Sequence, residues 1–247
     1  MPTHPYHGRL SVVVPVRNEA ENIEPLVREI VAALAGRTEF EIVYVDDGST
    51  DATPQALARL KAAFPMLRVI THRRSCGQSQ ALATGILHAR YEWIATLDGD
   101  GQNDPADIPA LLAVLADPEQ PANLELIAGW RKNRQDDWLR RLSSRIANAV
   151  RSRFLGDATP DTGCGLKLFA RATFLELPHF DHMHRFLPAL VQRNGGAVVS
   201  VPVNHRPRVR GQSKYGVHDR LWVGIVDLFG VAWLQRRVRR PEIVSAD

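Results

Sequence analysis

Short apolar runs alternate with amphipathic stretches along the first half of the chain, and this alternation is typical of a mostly parallel sheet with helices on both faces. The predicted strands are Leu10–Val14, Glu41–Val45, Arg68–Thr71, Trp93–Leu97 and Leu124–Ala128. The predicted helices between them are Glu21–Leu34, Ala52–Phe64, Gly77–Ala89 and Pro105–Leu115. Asp104 before Pro105 provides an N-cap and a proline at the first helical position, which favours a helix start there.

The alternation breaks down beyond Gly129. The predicted elements there are an arginine-rich helix Trp138–Leu155, a strand Gly165–Phe169, a helix His184–Asn194, a strand Ala197–Val203 and a final helix from about His218 to Arg237. A basic loop, Asn204–Gly216, precedes the final helix; loops of this length often carry function, although a mobile surface loop is the alternative. We expect residues 1–217 to form one α/β domain, and residues 218–247 to add an amphipathic helix and a basic tail to the same unit.

The final helix allows two interpretations. Its apolar part, Leu221 to Leu234, contains Asp227 and is shorter than the ~20 residues that a membrane-spanning helix needs. The apolar side either packs on the domain or lies against a membrane whose anionic headgroups attract the arginines that follow. The N-terminal residues do not resemble a signal peptide, so we expect a cytoplasmic protein that associates peripherally with the inner face of the cell membrane.

Composition and charge narrow the class of partner. The 247 residues, 45% of them apolar, suffice for one large domain, and Cys76 and Cys164 are expected to be free thiols. The formal charge of +4 is distributed unevenly along the sequence: residues 131–153 carry +6, residues 204–240 carry +7 and the rest carries −9. Such concentration favours an anionic partner such as a phosphate or a lipid headgroup, although one basic run alone is usually a solvated helix face. Few aromatic residues interleave with the basic runs, which argues against nucleic acid.

Two carboxylates and an amide follow directly on the apolar run Trp93–Leu97. Asp98, Asp100 and Gln102 would lie at the carboxyl end of a buried strand, where open α/β sheets bind ligands. Their oxygens form a hard ligand set suited to Mg²⁺ or Mn²⁺ shared with a phosphate-bearing substrate. An isolated motif of this kind can also be an acidic turn that merely leaves a strand.

Polar turns also follow the first two predicted strands, at residues 15–19 and 46–51. An aspartate in such a turn can accept a hydrogen bond from a base or a ribose hydroxyl, and its alternative role is helix capping. The chain has neither a Gly-x-Gly-x-x-Gly turn nor a Walker-type phosphate loop, so the dinucleotide-binding and ordinary nucleotide-triphosphatase classes lose support.

Taken together, these motifs resemble the inverting glycosyltransferases of family 2 with the GT-A fold, in particular the dolichyl-phosphate mannose synthase-like enzymes. The resemblance runs from residues 11–19 through 46–49 and 98–102 to Gly-Gln-Ser-Lys-Tyr at 211–215, and so covers nearly the whole chain. It implies transfer of a sugar from a UDP- or GDP-sugar onto a polyprenyl phosphate at the cytoplasmic membrane face. A homodimer or a membrane-protein partner stays open.

The resemblance also implies roles for individual residues. Residues matched to nucleotide-sugar binding are Pro15, Arg17, Glu19, Asp46, Asp47, Gly77, Asp98, Gly99, Arg206 and Lys214. The metal set is Asp98, Asp100 and Gln102, the acceptor phosphate set is Arg131, Ser144 and Arg145, and the catalytic set is Asp100, Asp161, Arg131 and Arg145. Arg17 stands where several relatives place an aromatic residue, which leaves the choice between uracil and guanine open.

Chemistry supports these roles and leaves rivals. A phosphate acceptor with a second pKa near ~6 is largely ionised at neutral pH and can attack without a general base. A carbohydrate hydroxyl acceptor would need a base, for which Asp161 is the candidate, although Asp161 could instead shape a turn beside Pro160. A third hypothesis is a non-catalytic nucleotide- or lipid-binding partner of a membrane transferase. His72, His184 and His205 lack metal-ligand spacing and are expected to form hydrogen bonds within the fold.

Overall fold

The structure, a computed structural model, describes residues 4–131, 151–207 and 217–239. In chain order the strands are β1 Arg9–Val16, β2 Glu39–Asp46, β3 Leu67–Thr71, β4 Trp93–Thr96, β5 Leu124–Arg131, β6 Lys167–Ala170 and β7 Ala197–Val203. The helices are α1 Ala20–Leu34, α2 Thr53–Ala63, α3 Gln78–Leu87, α4 Ile108–Leu115, α5 Arg171–Leu175, α6 Leu187–Arg193 and α7 Val217–Arg236. Two 3₁₀ turns, Pro105–Asp107 and Met183–Arg185, precede α4 and α6, and residues 151–155 are helical.

The strands form one seven-stranded sheet in the order β3-β2-β1-β4-β6-β5-β7. Strand β6 runs antiparallel to both of its neighbours, β4 and β5, and the other pairings are parallel. The predicted mostly parallel α/β sheet is therefore confirmed, with one reversed strand that the sequence pattern did not indicate.

Two apolar cores lie on the two faces of the sheet. Val12 and Val14 of β1 pack with α1 and α4 on one face, and Val13 of the same strand packs with α3 on the other. Because successive side chains of a strand point to opposite faces, a continuous run of valines can serve both cores. Helices α5 and α6 complete the second core, together with Val231 of α7.

Several predicted boundaries shift for local reasons. The predicted helix Pro105–Leu115 begins as the 3₁₀ turn Pro105–Asp107, and the Asp104 carboxylate caps it by accepting from the Ala106 N–H at 3.0 Å. The predicted helix His184–Asn194 is split into the 3₁₀ turn Met183–Arg185 and α6, which has a proline in its first turn. Helix α5 was not predicted. Of the predicted helix Trp138–Leu155, only residues 151–155 lie within the described chain.

The order of the strands fixes where a ligand would bind. From β1 the chain adds β2 and β3 on one side and then crosses to place β4 on the other. Ligands of open α/β sheets bind outside the carboxyl ends of strands at such a switch point. The residues that follow β1, β2 and β4 therefore surround the expected site.

Candidate active site

The turns after β1 and β2 are tied to each other by hydrogen bonds. Asn18, at φ 52°, accepts from the Thr50 N–H at 2.7 Å through its side-chain oxygen, and its own N–H donates to Ser49 Oγ at 2.9 Å. The Glu19 N–H donates to Thr53 Oγ1 at 2.9 Å. Arg17, which directly precedes these anchored residues, is exposed. Its predicted contact with a nucleotide, and that of Glu19, stay predictions.

The Asp47 carboxylate organises the segment that leads into α3. It accepts from the Cys76 and Gly77 N–H groups at 2.8 and 3.0 Å, from Ser75 Oγ at 2.7 Å, and it pairs with His72 Nδ1 at 2.8 Å. Burial acts to raise the pKa of Asp47, but these hydrogen bonds hold it below its usual range. Gly77, at φ 91°, is thus positioned by Asp47.

The histidine and cysteine beside Asp47 also have structural partners. His72 Nε2 lies 3.0 Å from Thr84 Oγ1, so both of its ring nitrogens are engaged, as expected from the sequence. Cys76 is exposed and Cys164 is buried, and both are free thiols. Ligand atoms of Asp47, His72 and Cys76 lie within 4.8 Å of one another, a grouping that the hydrogen bonds around Asp47 explain.

Three other predicted nucleotide-site residues are buried at the end of a strand or just beyond it. Asp46 is 1% exposed, and one of its carboxylate oxygens accepts from the Ser49 N–H at 3.0 Å. Pro15 lies within β1, paired with Val45 of β2. A Cβ on Gly99 would overlap Val16 and come within 3.0 Å of the Pro15 carbonyl oxygen, so Gly99 lets the two strand ends approach. Direct ligand contacts by these residues stay predictions.

Asp98 lies two residues beyond the carboxyl end of β4 and lines a cavity of about 240 Å³. The side-chain amide of Gln78, the first residue of α3, donates to one of its carboxylate oxygens at 2.7 Å. Burial and the neighbouring charge of Asp100 raise the pKa of Asp98 to about 6, against the opposing influence of Lys167 and Arg131. Ionisation of the Asp98 carboxylate therefore costs free energy in this site, and a bound cation would offset that cost.

A glycine segment packs on the other side of Asp98. A Cβ on Gly165 would overlap the Asp98 carboxylate and lie 2.7 Å from Asn103 Oδ1. Thr96 Oγ1 donates to the Gly165 carbonyl oxygen at 2.7 Å, which holds this segment against β4. Gly165 thus gives the carboxylate its position, a role that the sequence analysis missed.

Asp100 and Gln102 lie in the turn that follows β4. Asp100 Oδ1 accepts from the Gln102 N–H at 3.1 Å, and the Gln102 side-chain amide donates to the Arg206 carbonyl oxygen at 3.5 Å. The Arg206 guanidinium donates to Glu29 at 2.7 Å and to the Asn103 carbonyl oxygen at 3.0 Å. Arg206 thereby anchors the start of the basic loop beside the metal motif, and its predicted nucleotide-sugar contact stays a prediction.

Arg131 and Asp161, predicted separately, form a buried ion pair. Arg131 Nε and Nη2 donate to the two Asp161 oxygens at 2.6 and 2.9 Å, and the Arg131 N–H donates at 3.3 Å. The side chains are 13% and 6% exposed. Desolvation of Arg131 is outweighed by the Asp161 hydrogen bond, so the pKa of Arg131 is raised. The charge of this arginine is therefore balanced within the protein before any phosphate binds.

The Arg131–Asp161 pair gives a stability prediction. Asp161→Asn should destabilise the fold by about 3 kcal/mol, because it leaves the Arg131 guanidinium buried without a counter-charge. The effect is measured by urea unfolding of both single variants, Arg131→Met and Asp161→Asn, and of the double variant. A coupling energy above about 1 kcal/mol is expected. Additive losses would show that the two side chains do not stabilise each other.

The cavity also contains residues that the sequence analysis did not place in the site. They are Gln78, Lys167, His184 and Arg185, alongside residues 162–165. Lys167 is buried, which lowers its pKa, and its Nζ donates to the Thr162 carbonyl oxygen at 3.2 Å and to that of Cys164. A lysine within the apolar run 166–169 was a usable signal, since charged residues are rarely buried without a partner. Ser144, Arg145 and Lys214 lie outside the described residues.

Comparison with known proteins identifies the family. Residues 11–177 match the model of glycosyl transferase family 2. The chain is a family 2 glycosyltransferase. The resemblance inferred from the motifs is therefore confirmed.

Curated relatives of this glycosyltransferase act on lipid phosphates. It is 40% identical over 240 residues to the dodecaprenyl-phosphate galacturonate synthase of Rhizobium johnstonii, an alignment that covers 94% of this chain and 69% of the relative. It is 34% identical over 211 residues to the undecaprenyl-phosphate 4-deoxy-4-formamido-L-arabinose transferase of Edwardsiella ictaluri, which covers 84% of this chain and 63% of the relative. The chain thus spans about two thirds of the length of these proteins.

A solved structure confirms the GT-A fold. A mannosyltransferase from Pyrobaculum calidifontis, in complex with GDP-mannose and Mn²⁺, superposes with a TM-score of 0.70 at 26% identity, covering 96% of this chain and 66% of that one. Glucosyl-3-phosphoglycerate synthase from Mycobacterium tuberculosis superposes with a TM-score of 0.68 at 17% identity, a likeness of fold alone.

Proposed function

We propose that this glycosyltransferase moves a sugar from a UDP- or GDP-linked donor onto a polyprenyl phosphate. The observation that carries the proposal is the cavity at the switch point of the sheet, which is lined by Asp98 and by the basic residues Lys167 and Arg185. Carboxylates suit a divalent cation, and cations suit phosphate oxygens, so both kinds of group that sugar transfer between phosphates requires are present. The activities of the two curated relatives support the same substrate class.

Asp98, Asp100 and Gln102 are the residues proposed to hold a divalent ion, Mg²⁺ or Mn²⁺. The fit rests on the raised pKa of Asp98, to which the Asp100 charge contributes, since a cation between two carboxylates would relieve their repulsion. The Gln102 amide donates to Arg206 through nitrogen, which leaves its oxygen as the atom available for a cation. When bound, such an ion stabilises the charge that develops on the departing diphosphate.

The protein supplies position and charge rather than a general base. An ionised phosphate acceptor needs no base, because its oxygen is already a nucleophile at neutral pH. Asp161, the candidate base for a hydroxyl acceptor, accepts two hydrogen bonds from the Arg131 guanidinium and is therefore a poor proton acceptor. This pairing supports the phosphate acceptor over the hydroxyl acceptor.

The final helix offers a surface for the lipid. Val231 packs in the core, whereas Val226, Phe229 and Trp233 are 68%, 61% and 58% exposed. The Arg237 guanidinium lies 5.8 Å from the Trp233 ring centre. Exposed aromatic residues beside arginines suit an interface with anionic headgroups, which would place the protein at the inner face of the membrane. Among the described residues, no helix combines the length and hydropathy that crossing a bilayer requires.

The test is sugar incorporation into lipid. Purified protein is incubated with Mg²⁺ or Mn²⁺, vesicles containing undecaprenyl phosphate, and a panel of labelled UDP- and GDP-sugars. Label should enter the organic-extractable lipid with at least one donor, and the protein should co-sediment with vesicles rich in anionic lipid. Undecaprenol, which has a hydroxyl in place of the phosphate, should give no product.

Asp100→Ala is the matched control for that assay. It should abolish incorporation while the circular dichroism spectrum stays unchanged, because Asp100 lies at a strand exit and only part of it is buried. Activity of Asp100→Ala at the wild-type rate would contradict the metal site. Incorporation into undecaprenol, or into neither lipid, would contradict the phosphate acceptor.

A further inference from the structure

The Arg185 guanidinium lines the cavity without a hydrogen-bonded or ion-paired partner among the described residues, while its backbone N–H donates to the His182 carbonyl oxygen at 3.1 Å. It is half-buried, on the 3₁₀ turn before α6. The neighbouring cations are already engaged: Arg131 pairs with Asp161, and Lys167 donates to the Thr162 and Cys164 carbonyl oxygens. A guanidinium that lines a cavity with its hydrogen-bond donors unused is suited to bind an anion from outside the protein.

The turn that presents Arg185 is held rigidly from both sides. Met183 is 1% exposed in the core, and the residue before it, His182, adopts a left-handed backbone at φ 62°. His182 Nδ1 lies 3.3 Å from the Asp227 carboxylate of α7. Because the backbone is fixed by a buried side chain and by a contact with another helix, the wall of the cavity is preorganised.

His184, the residue before Arg185, contributes a neutral hydrogen-bond donor to the same cavity. Its backbone N–H donates to Ser79 Oγ at 3.4 Å, and His184 Nδ1, 2.7 Å from that oxygen, is the acceptor among the described residues for the Ser79 hydroxyl proton. With Nδ1 as the acceptor, Nε2 carries the ring proton. Burial lowers the pKa of His184 to about 3, which keeps the ring neutral. Nε2 has no partner among the described residues.

We infer that Arg185 and His184 form a binding subsite for an oxyanion of a substrate, either the phosphate of the acceptor or the carboxylate of an acidic donor sugar. The inference rests on the proposed function, since it names the group that one substrate places in the cavity. A planar guanidinium binds both kinds of oxyanion through two parallel hydrogen bonds, and the His184 Nε2–H adds a third donor. A cation is needed because Asp98 lines the same cavity and would repel an anion.

Arg131 and Arg185 differ in how far carboxylates within the protein balance their charges. Arg131, predicted to hold the acceptor phosphate, has its charge balanced by Asp161, so the pair adds little net attraction for an anion. No carboxylate among the described residues forms an ion pair with Arg185, and its electrostatic interaction with Asp227 of α7 offsets only part of its charge. Removal of its guanidinium should therefore weaken anion binding, whereas binding of a neutral sugar should change little.

The experiment measures binding of three probes by isothermal titration calorimetry in the presence of Mn²⁺: farnesyl phosphate, UDP-galacturonate and UDP-galactose. The variants are Arg185→Gln, Arg185→Lys and, as a matched control, Arg59→Gln, whose side chain is 71% exposed on α2. Arg185→Gln should lose at least about 10-fold in affinity for one oxyanion probe, the scale of a charge-assisted hydrogen bond. Arg185→Lys should recover part of it, and Arg59→Gln should bind like wild type.

The pattern of loss identifies the source of the oxyanion. Weaker farnesyl phosphate binding alone assigns the acceptor phosphate, and weaker binding of UDP-galacturonate but not UDP-galactose assigns a donor carboxylate. Equal binding by wild type and Arg185→Gln, equal losses for all three probes, or no binding of any probe to wild type would overturn the inference. Because binding needs no turnover, Arg185-dependent binding without sugar transfer would contradict the proposed function and leave the subsite standing.

Discussion

Asp98→Asn should make the metal-free protein more stable at pH 7.5 while abolishing sugar transfer. Burial and the Asp100 charge raise the pKa of Asp98 from 3.8 to about 6 in the folded protein. The folded state therefore holds this proton more tightly than the unfolded chain, and the associated stability is complete below pH 3.8 and is lost as pH rises through about 6. An asparagine carries no such penalty, and its side-chain oxygen can still accept from Gln78. The shift from 3.8 to about 6 corresponds to a gain of about 3 kcal/mol at pH 7.5.

The measurement is urea unfolding in EDTA at three pH values. The advantage of Asp98→Asn should be full at pH 7.5, about half as large at pH 5 and nearly absent at about pH 3, where wild-type Asp98 is protonated in both states. Saturating Mn²⁺ should raise the melting temperature of wild type but not that of Asp98→Asn. Asp117→Asn is the control: hydrogen bonds from the Glu119 N–H and Gln120 lower the pKa of that carboxyl, so its removal should not stabilise. If Asp98→Asn is less stable than wild type at pH 7.5, the ionised Asp98 carboxylate does not destabilise the folded protein.

The sequence predicted the parts of the site that depend on strand ends. An apolar run followed by two carboxylates places Asp98 and Asp100 at the carboxyl end of β4 whatever the order of the strands. The same logic placed Asp47 beyond β2. These predictions need only the local periodicity of a buried strand, and the bounds of β2 and β4 confirm that the three aspartates follow strand ends.

Pairings between distant residues could not be predicted in this way. Arg131 and Asp161 are 30 residues apart and were given separate roles, because neither spacing nor composition indicates that β5 and the segment before β6 bring them together. The reversed β6, between β4 and β5, creates that contact. Long-range register is set by packing of whole elements, which leaves no short motif in the sequence.

The role of Gly165 and the helix predicted from His184 were predicted wrongly for a related reason. Gly165 was predicted to start a strand, yet its lack of a side chain makes room for the Asp98 carboxylate. The helix predicted from His184 is broken into a 3₁₀ turn and α6, with a left-handed residue before the turn. In both places the backbone departs from the local preference near the proposed site, where such departures are expected.

Gly165→Ala is expected to reduce kcat/KM by roughly 100-fold or more while the protein stays folded, because displacing a catalytic group by about 1 Å can cost that much. The added methyl group would occupy the position of the Asp98 carboxylate, and the segment cannot easily move away: its carbonyl oxygen accepts from Thr96 Oγ1, and Cys164 and Leu166 on either side are buried. Asp98 is then the group that must shift. The stability cost of such overpacking is about 1–3 kcal/mol, less than a typical domain's total stability.

Gly230→Ala is the matched control, because it adds the same methyl group in α7, where a Cβ would meet nothing within 4 Å. It should keep wild-type activity and gain up to about 1 kcal/mol of stability from the better helix propensity of alanine. Steady-state kinetics, Mn²⁺ titration and urea unfolding of both variants separate the two effects. Gly165→Ala should bind Mn²⁺ more weakly, since the Asp98 carboxylate no longer lies beside Asp100. If Gly165→Ala instead retains kcat/KM within about 3-fold of wild type, Gly165 does not determine the position of Asp98 that activity requires. A catalytic group displaced by about 1 Å is expected to lower kcat/KM much more than 3-fold.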